Sequence, residues 1–271
     1  MRTLRDRVAV VTGAASGIGR ATSIALAKEG CDLAISDVNM TGLEETARLI
    51  RATGRKVCSH EVDVADKQRM LKYVDEVMDA YGQVHILVNN AGVSVAGTFE
   101  DHSIEDFEWL FGINVWGVIY GCKFFLPHLK ASDEAHIVNI SSVFGIVGVP
   151  KQTSYCASKF AVRGFTESLQ LELKDQGVGV TSVHPGGVDT NIARDSRGHQ
   201  DLKDAASKVL GRGVSPEHAA GKILGAIKGN KPRQLITREA YALDLIKRAA
   251  PESAQWLIGR TAERMERKAG V

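Results

Sequence analysis

The sequence has few cysteines and lacks the usual spacings of metal ligands. Its four cysteines include no Cys-x-x-Cys pair, which argues against a disulfide framework or a zinc ribbon and suggests a reducing compartment. Its eight histidines are scattered, and neither His-x-x-x-His nor His-Glu-x-x-His occurs. We therefore expect a cytoplasmic protein without a metal site.

The sequence also lacks a long hydrophobic run and an excess of one charge. No uninterrupted apolar run approaches the roughly 18 residues of a membrane-spanning helix, and the apolar stretch at residues 8–11 is too short for a secretory signal. The 34 Lys and Arg residues nearly balance the 32 Asp and Glu residues, whereas a nucleic-acid-binding protein usually has a basic stripe. The composition favours a soluble globular protein with no nucleic-acid partner.

Short apolar runs alternate with longer amphipathic stretches along most of the chain. The runs are apolar on both faces, as buried parallel strands are, and the longer stretches have one apolar stripe, as surface helices do. The predicted strands cover residues 8–11, 31–36, 56–62, 86–88, 136–140, 178–183 and 234–237. The predicted helices cover residues 18–28, 43–52, 66–81, 107–129, 154–176 and 216–228.

This alternation predicts an α/β fold. Repeated strand–helix units build a three-layer, doubly wound Rossmann fold, here with a mostly parallel sheet of seven strands between two layers of helices. No linker rich in proline or glycine divides the chain, so we expect a single domain over residues 1–271. Its cofactor-binding and catalytic core is expected over residues 1–190, and a separate helical tail over residues 238–271.

A glycine-rich turn stands between the first predicted strand and the first predicted helix. From Thr12 to Gly19 the glycines have the spacing G-x-x-x-G-x-G. The free N–H groups and positive dipole at a helix start suit a pyrophosphate, and glycines allow it to approach closely. An ordinary strand-to-helix turn is the alternative, but the position in the first βα turn favours a nucleotide.

Asp37 ends the second predicted strand, 18 residues after Gly19. The dinucleotide-binding fold places an acid about 20 residues on, where it binds the ribose hydroxyls. A 2′-phosphate about 4 Å away would be repelled by about 4 kcal/mol per charge pair at an effective dielectric of about 20. The sequence therefore predicts NAD rather than NADP, unless Asp37 only caps the turn. Arg20 could counter this preference, but its helical position is expected to direct it elsewhere.

Tyr155 and Lys159 are spaced so that both lie on one face of a predicted helix. A free tyrosine has a pKa near 10, which is too high for efficient proton transfer at neutral pH. A cation about 5 Å away contributes about 3 kcal/mol and is expected to lower the tyrosine pKa by about two. Taken alone, a solvated Tyr–Lys pair would be the simpler interpretation.

With these residues, a series of motifs makes the chain similar to the short-chain dehydrogenase/reductase family. The motifs follow the family order from residue 8 to about residue 190, and Ser142 precedes Tyr155 by the family's usual thirteen residues. They are the glycine-rich turn, Asp63-Val64, Asn89-Asn90-Ala91-Gly92, Asn114, Asn139-Ile140-Ser141-Ser142, Tyr155-x-x-x-Lys159, and Pro185-Gly186 with Thr190.

The resemblance implies four catalytic residues. Tyr155 transfers the proton of the substrate oxygen, and Ser142 hydrogen-bonds the same oxygen. Lys159 lowers the tyrosine pKa and binds the nicotinamide ribose. Asn114 holds a water that links Lys159 to solvent, with helix packing as the alternative role.

The resemblance also implies a dinucleotide site at the carboxyl ends of the strands. The expected cofactor contacts are Thr12, Gly13, Ser16, Gly17, Ile18, Gly19, Asp37, Asp63, Val64, Asn90, Ala91, Gly92, Tyr155, Lys159, Pro185, Gly186, Val188 and Thr190. For Asn89 and Asn90, stabilisation of the sheet edge is an equally open role.

The expected substrate contacts are Ser142, Phe144, Gln152 and Tyr155. The neighbouring sequence is mostly apolar, which suggests a hydrophobic secondary alcohol or ketone as the small-molecule substrate, although core packing is an open alternative for some of these residues. At the position of residues 191–213 the family carries a mobile substrate lid; a plain surface insertion is the alternative.

The function predicted is that of an NAD-dependent alcohol dehydrogenase or carbonyl reductase. An epimerase, a dehydratase or another non-redox enzyme on the same framework remains open, because fold and function are separable. A nucleotide-sensing protein without turnover also remains open, although such a sensor would not need the complete catalytic set. The resemblance further implies a homo-oligomer, a dimer or a tetramer, in which helices 107–129 and 154–176 pair across subunits.

The chain continues for 34 residues beyond Thr237, further than many family members do. A basic amphipathic helix there could bind an anionic membrane surface, but interleaved acids favour a solvated face instead. Covering the substrate cleft and reaching a neighbouring subunit are further alternatives. The basic residues are Arg260, Arg264, Arg267 and Lys268, and the interleaved acids are Glu263 and Glu266.

Overall fold

The structure, a computed structural model, describes residue 1 and residues 3–269, with side chains described as far as residue 261. The strands are β1 (Val8–Thr12), β2 (Asp32–Asp37), β3 (Val57–Glu61), β4 (Ile86–Asn89), β5 (Val95–Ala96), β6 (Ala135–Ile140), β7 (Val178–His184), β8 (Arg197–Gly198) and β9 (Arg233–Leu235). The helices are α1 (Gly17–Lys28), α2 (Met40–Arg51), α3 (Lys67–Tyr81), α4 (Ile104–Phe111), α5 (Gly117–Ala131), α6 (Thr153–Leu173), α7 (Gln200–Leu210), α8 (Pro216–Lys228), α9 (Arg238–Ala249) and α10 (Pro251–Ala269).

Seven strands form one sheet in the order β3-β2-β1-β4-β6-β7-β9, and every pairing described in it is parallel. The predicted three-layer α/β fold is confirmed. The chain reverses its direction of winding between β1 and β4, which is the switch point where open α/β sheets bind ligands. The short strands β5 and β8 pair with each other outside this sheet.

Both faces of the sheet are buried against helices. On one face, Val11 packs in a cluster with Leu26 of α1 and Ile223 of α8. On the other face, Val10 packs in a cluster with Phe125 of α5. This arrangement explains why the strands are apolar at successive positions, because successive side chains of a strand point to opposite faces.

The helix predicted over residues 107–129 differs from the prediction in two ways. It begins earlier, at Ile104, where the Ser103 hydroxyl accepts the Asp106 N–H at 3.0 Å and caps the helix. It is also interrupted by one π-helical segment, Gly112–Trp116, between α4 and α5. The amphipathic pattern did not predict this segment, because a π turn is defined by its i→i+5 backbone hydrogen bonds and not by which residues are apolar.

Among the described residues, the continuous helical segment Ile104–Ala131 is long enough and apolar enough to cross a membrane, judged by length and composition alone. Charged residues such as Glu108 and Lys123 interrupt the segment, so it does not contradict the expectation that the sequence has no uninterrupted apolar run of that length. In this fold the segment packs on the sheet, where Phe125 and Leu129 are fully buried. The position of α5 in the core accounts for these two apolar residues, whereas Trp116 in the same segment is exposed.

The structure adds detail to two regions in the last third of the chain. Residues 191–213, the expected lid, contain β8 and the helix α7. The tail is helical as predicted, but it is not separate, because Ala240 and the half-buried Leu243 of α9 pack in a cluster with residues 143–147. The predicted interleaving of charges around Arg264 lies outside the residues whose side chains are described.

Candidate active site

The carboxyl ends of the central strands open onto one cleft of about 1040 Å³. Its floor is the glycine-rich turn, and its walls are the start of α6, the loop after β7 and the apolar face of α7. Glu239 and Leu243 of the tail also line it. Of the predicted site residues, all line this cleft except Thr12, Gly19 and Asn114, which lie directly behind its wall.

The start of α1 is open towards this cleft. Ser16 is the N-cap residue, but its side chain accepts no capping hydrogen bond from the described residues, whereas Asp66 caps α3 with bonds to two backbone N–H groups. Gly13 has a φ of +64°, and a Cβ there would lie 2.7 Å from the Ala91 Cα. The turn therefore needs glycine, and it presents unbonded helix N–H groups to the cleft, as a pyrophosphate requires.

Hydrogen bonds tie the glycine-rich turn to the end of β4. The Thr12 hydroxyl accepts the N–H groups of Asn90 and Ala91, both at 3.1 Å. The Asn90 amide donates to the carbonyls of Thr12 and Gly13, both at 3.0 Å. Asn90 thus lines the cleft and also holds its floor, while its predicted contact with the cofactor remains a prediction.

The Asp37 carboxylate faces the cleft and orders the backbone around it. One oxygen accepts the Ala15 N–H and the other accepts the Asn39 N–H, both at 2.9 Å. Arg20 points away, as predicted, because its guanidinium donates to the hydroxyl of Thr46 and to the carbonyls of Ala15 and Gly42. Its charge is therefore used within the protein, between α1 and α2.

Asn114 is fully buried in the π-helical segment and holds the loop after β4. Its Oδ1 accepts the Val93 N–H at 2.8 Å, and its Nδ2 donates to the Val93 carbonyl at 2.9 Å and to the Ser158 hydroxyl at 3.0 Å. A Cβ on Gly92 would lie 3.2 Å from Asn114 Oδ1 and 3.3 Å from Lys159 Nζ. The π turn thus places this amide beside the lysine, although the predicted water-holding role remains a prediction.

Tyr155 and Lys159 lie together on the cleft wall, with the ammonium 5.6 Å from the centroid of the phenol ring. Lys159 Nζ donates to the Ile140 carbonyl at 3.1 Å. Burial lowers the pKa of Lys159 to about 8, because the charged form loses its hydration.

The predicted decrease in the tyrosine pKa is wrong for the protein alone. Burial raises the pKa of Tyr155 to about 12, and the hydrogen bond with Ser142 offsets only part of this increase. Loss of hydration disfavours the phenolate more than the neighbouring groups of the protein stabilise it. The sequence argument considered the charge of Lys159 and left out the burial of both side chains.

Ser142 is fixed between β6 and a short 3₁₀ turn. Its hydroxyl accepts the Phe144 N–H at 3.1 Å, and its carbonyl oxygen lies 3.0 Å from His184 Nδ1. Because a carbonyl can only accept, His184 carries its hydrogen on Nδ1, and Nε2 accepts from the Ser182 hydroxyl at 3.0 Å. His184 does not line the cleft, but it holds Ser142 from behind the cleft wall, and the sequence analysis missed this contact.

The outer part of the cleft is largely apolar. Phe144 meets Tyr155 edge to face, with ring centroids 6.1 Å apart, and Gln152 accepts a hydrogen bond from the Ser94 hydroxyl at 3.0 Å. The opposite wall is α7, which has no buried residue among those described. The side chains that α7 presents to the cleft are Leu202, Ala205, Ala206, Val209 and Leu210.

The segment of residues 191–213, which we call the lid segment, is anchored where it enters the cleft wall. The Arg197 guanidinium lies 3.7 Å from the Trp109 ring centroid and 3.3 Å from the Asp106 carboxylate. The His199 N–H also donates to the Ala96 carbonyl at 3.0 Å through the pairing of β5 with β8. These contacts hold the start of α7 over the cleft.

The short chain dehydrogenase family profile matches residues 7–201. The putative oxidoreductase SadH of Mycobacterium tuberculosis is 41% identical over 265 residues, which cover 95% of this chain and 96% of that protein.

Solved structures agree with these sequence matches. A short-chain dehydrogenase/reductase from Burkholderia phymatum in complex with NAD has a TM-score of 0.88 at 30% identity, covering 94% of this chain and 97% of that chain. An alcohol dehydrogenase from the archaeon Thermococcus sibiricus, complexed with 5-hydroxy-NADP, has a TM-score of 0.74 at 27% identity, covering 85% of this chain and 96% of that chain.

Proposed function

The chain belongs to the short-chain dehydrogenase/reductase family, and from this we propose that it is an NAD-dependent enzyme acting on an apolar secondary alcohol or ketone. The observation that carries the proposal is the meeting of Ser142, Tyr155 and Lys159 on one wall of the cleft whose floor is the uncapped start of α1.

The chain's own residues would orient the substrate and handle its proton. The bound nicotinamide supplies the carbon that takes or gives the hydride. In the proposed mechanism, the Ser142 hydroxyl holds the substrate oxygen, and Tyr155 Oη donates a proton to it in reduction or accepts one in oxidation. Lys159 would bind the nicotinamide ribose and supply positive charge beside the phenol.

The pKa values in the protein alone suit proton donation. With its pKa raised to about 12, Tyr155 is a neutral phenol at pH 7 and can donate to a developing alkoxide. Alcohol oxidation needs the phenolate, so it requires additional positive charge near Oη. Lys159, with a pKa lowered to about 8, still carries its charge in most molecules at pH 7.

Two observations support NAD as the cofactor. The Asp37 carboxylate faces the cleft at the end of β2, and Arg20 is engaged in bonds within the protein. A 2′-phosphate beside Asp37 would meet like charge. The Burkholderia phymatum relative is complexed with NAD and the Thermococcus sibiricus relative with an NADP derivative, so both cofactors occur among relatives. The proposal for NAD in this chain therefore depends on Asp37.

The lining of the outer cleft supports an apolar substrate. Phe144, Leu243 and the aliphatic side chains of α7 line the same cleft as Tyr155, and the Phe144 ring meets the Tyr155 ring edge to face. An apolar body placed there would remove this surface from water, at about 25 cal/mol per Å².

A row of aromatic side chains supports the further proposal of a homo-oligomer. Trp116, the last residue of the π-helical segment, stacks on Tyr120 of α5, which in turn stacks on Phe124. Trp116 is 51% exposed, and Phe160 on the adjacent α6 is 41% exposed. A second subunit packed on this face would cover both side chains.

Absorbance at 340 nm tests the proposed function directly. We expect NADH formation with apolar cyclic or aliphatic secondary alcohols and NAD⁺, and NADH consumption with the matching ketones. The Tyr155→Phe variant is expected to lose about 100-fold or more in kcat, while its Kd for NADH stays within about threefold of wild type. An enzyme that recycles its cofactor, such as an epimerase, would show no net change in absorbance.

Tyr241→Phe is the matched control, because Tyr241 lies on α9, is 51% exposed, and contributes only a long hydrogen bond with Gln234. Its turnover should equal that of the wild type. Full turnover in Tyr155→Phe would overturn the assigned proton transfer. The absence of any redox turnover with all of the alcohols and ketones tested would overturn the proposed function.

A further inference from the structure

Gly187, in the loop after β7, uses both of its backbone polar groups to join neighbouring segments. Its N–H donates to Oε1 of Glu239, in the first turn of α9, at 3.1 Å. Its carbonyl accepts the N–H of Val214, the residue that follows the lid segment, at 3.0 Å. The loop that lines the cleft is therefore bonded to the tail on one side and to the exit of the lid segment on the other.

The local sequence explains how Glu239 reaches this loop. Thr237 is the N-cap residue of α9 and accepts the Ala240 N–H at 3.4 Å, which places Glu239 in the first turn, where the helix dipole favours a negative charge. A Cβ on Gly186 would lie 2.9 Å from Glu239 Oε1 and would collide with the Thr237 hydroxyl. Only glycine at residue 186 allows the tail to approach the loop this closely.

The contact is made by a charged carboxylate. Burial opposes ionisation of Glu239, but hydrogen bonds from its own backbone, from Thr237 and from the Gly187 N–H together lower its pKa below the usual value. The carboxylate is therefore ionised at neutral pH, and a hydrogen bond to a charged acceptor is stronger than one to a neutral acceptor.

The tail also contributes to the cleft by a second contact. Leu243 lies four residues after Glu239, hence on the same face of α9, and it lines the cleft as Glu239 does. The half-buried side chain of Leu243 packs in a cluster with Val143 and Val147, which follow Ser142 in the chain. The segments that α9 packs against therefore carry the predicted catalytic and cofactor-binding residues.

We propose that Glu239 is a positioning residue for the dinucleotide, acting by holding Gly187 and with it residues 185–190 in the conformation that receives the nicotinamide end. The identity of the ligand in this inference, a nicotinamide dinucleotide, rests on the proposed function. The consequence is that the tail is part of the active site. Binding of the dinucleotide and packing of α9 against this loop then stabilise each other.

The test compares Glu239→Ala, Glu239→Gln and Glu252→Ala in the full chain, with NADH as the probe. Glu252 is exposed in the first turn of α10 and serves as the matched control. Fluorescence titration gives the Kd for NADH, and hydrogen exchange gives the protection of the amides in residues 185–190. Steady-state kinetics separates KM for NAD⁺ from kcat.

We expect Glu239→Ala to raise the Kd for NADH about three- to tenfold, since the bond is charged but partly solvent-exposed. KM for NAD⁺ should rise more than kcat falls, and the Gly187 amide should exchange faster. Glu239→Gln keeps an oxygen acceptor and should restore most of the affinity. Its affinity should also depend less on pH below neutrality, because it has no carboxyl group to protonate.

Wild-type affinity and unchanged exchange in Glu239→Ala would overturn the role of Glu239 and leave the proposed function intact. An equal loss in Glu252→Ala would also overturn it, because the effect would then be a general property of the tail. A wild-type protein that binds no NADH would instead overturn the proposed function, and this role with it.

Discussion

His184 bonds the main-chain carbonyl of Ser142 through Nδ1 at 3.0 Å, from a fully buried position next to the cleft. Burial lowers the pKa of His184 to about 4, so the imidazole is neutral at pH 7. A neutral imidazole with its hydrogen on Nδ1 can donate to Ser142 and accept from Ser182 at the same time. The serine that is expected to hold the substrate oxygen is therefore held in turn by a histidine.

Replacing His184 is expected to affect both stability and turnover. His184→Ala leaves a cavity and removes a buried hydrogen bond to the Ser142 carbonyl, which keeps only the N–H of Gly145 as a donor. Together these changes should cost about 2–4 kcal/mol in the free energy of unfolding. His184→Asn can still donate to Ser142 and should keep more of the kcat than His184→Ala. Urea unfolding and steady-state kinetics measure the two effects, and His218→Ala, on the exposed surface of α8, is the control.

The same histidine predicts how stability changes with pH. Its pKa is about 4 in the folded protein against 6.5 in the unfolded chain, so the unfolded chain binds the proton first as the pH falls. Stability should therefore decrease between pH 6.5 and pH 4, by up to roughly 3 kcal/mol from this residue. In His184→Asn this part of the decrease should vanish; an unchanged pH dependence would contradict the assignment.

Lys159→Met is expected to separate stability from activity. The pKa of Lys159 is lowered from 10.5 to about 8, so keeping the buried ammonium at pH 7 costs roughly 3 kcal/mol of folding free energy. The variant loses the bond to Ile140 but also this cost, so it should be at least as stable as wild type at pH 7. Its turnover should fall sharply.

The sign of the pH effect checks this prediction for Lys159. In the wild type the folded state releases the lysine proton near pH 8, before the unfolded chain does near 10.5, so stability should rise across that window. Lys159→Met should lack this rise, whereas Lys123→Met, at an exposed position of α5, should retain it. Thermal unfolding from pH 7 to pH 10 decides between the outcomes.

Asp37→Ser is expected to weaken the preference for NAD over NADP. Removing the carboxylate removes its repulsion of a 2′-phosphate, which for a partly exposed pair should change the ratio of kcat/KM values about tenfold or more. The bonds to Ala15 and Asn39 are weakened as well, so activity with NAD should also fall. The ratio for Asp79→Ser, at an exposed position of α3, should stay unchanged; an unchanged ratio in Asp37→Ser would show that another residue selects the cofactor.

Local sequence patterns were sufficient to predict the α/β architecture and the position of the cleft. Strands apolar at successive positions have to be buried on both faces, and in a parallel sheet their carboxyl ends meet at one edge, so the glycine-rich turn, Asn90 and Pro185 had to converge there. The Tyr155–Lys159 pair could be placed on that edge because four residues return a helix to the same face. These are local rules, and a single sequence carries them.

The environment of these groups depends on tertiary packing and could not be predicted from local patterns. The raised pKa of Tyr155 and the lowered pKa of Lys159 follow from burial by segments distant in the chain, and desolvation outweighs the local charge pair. The bond from His184 to Ser142 and the contact of Glu239 with Gly187 join residues 42 and 52 positions apart. Periodicity indicates which face of a helix or strand is buried, but not which distant element covers that face. The packing of these distant elements shapes the active site.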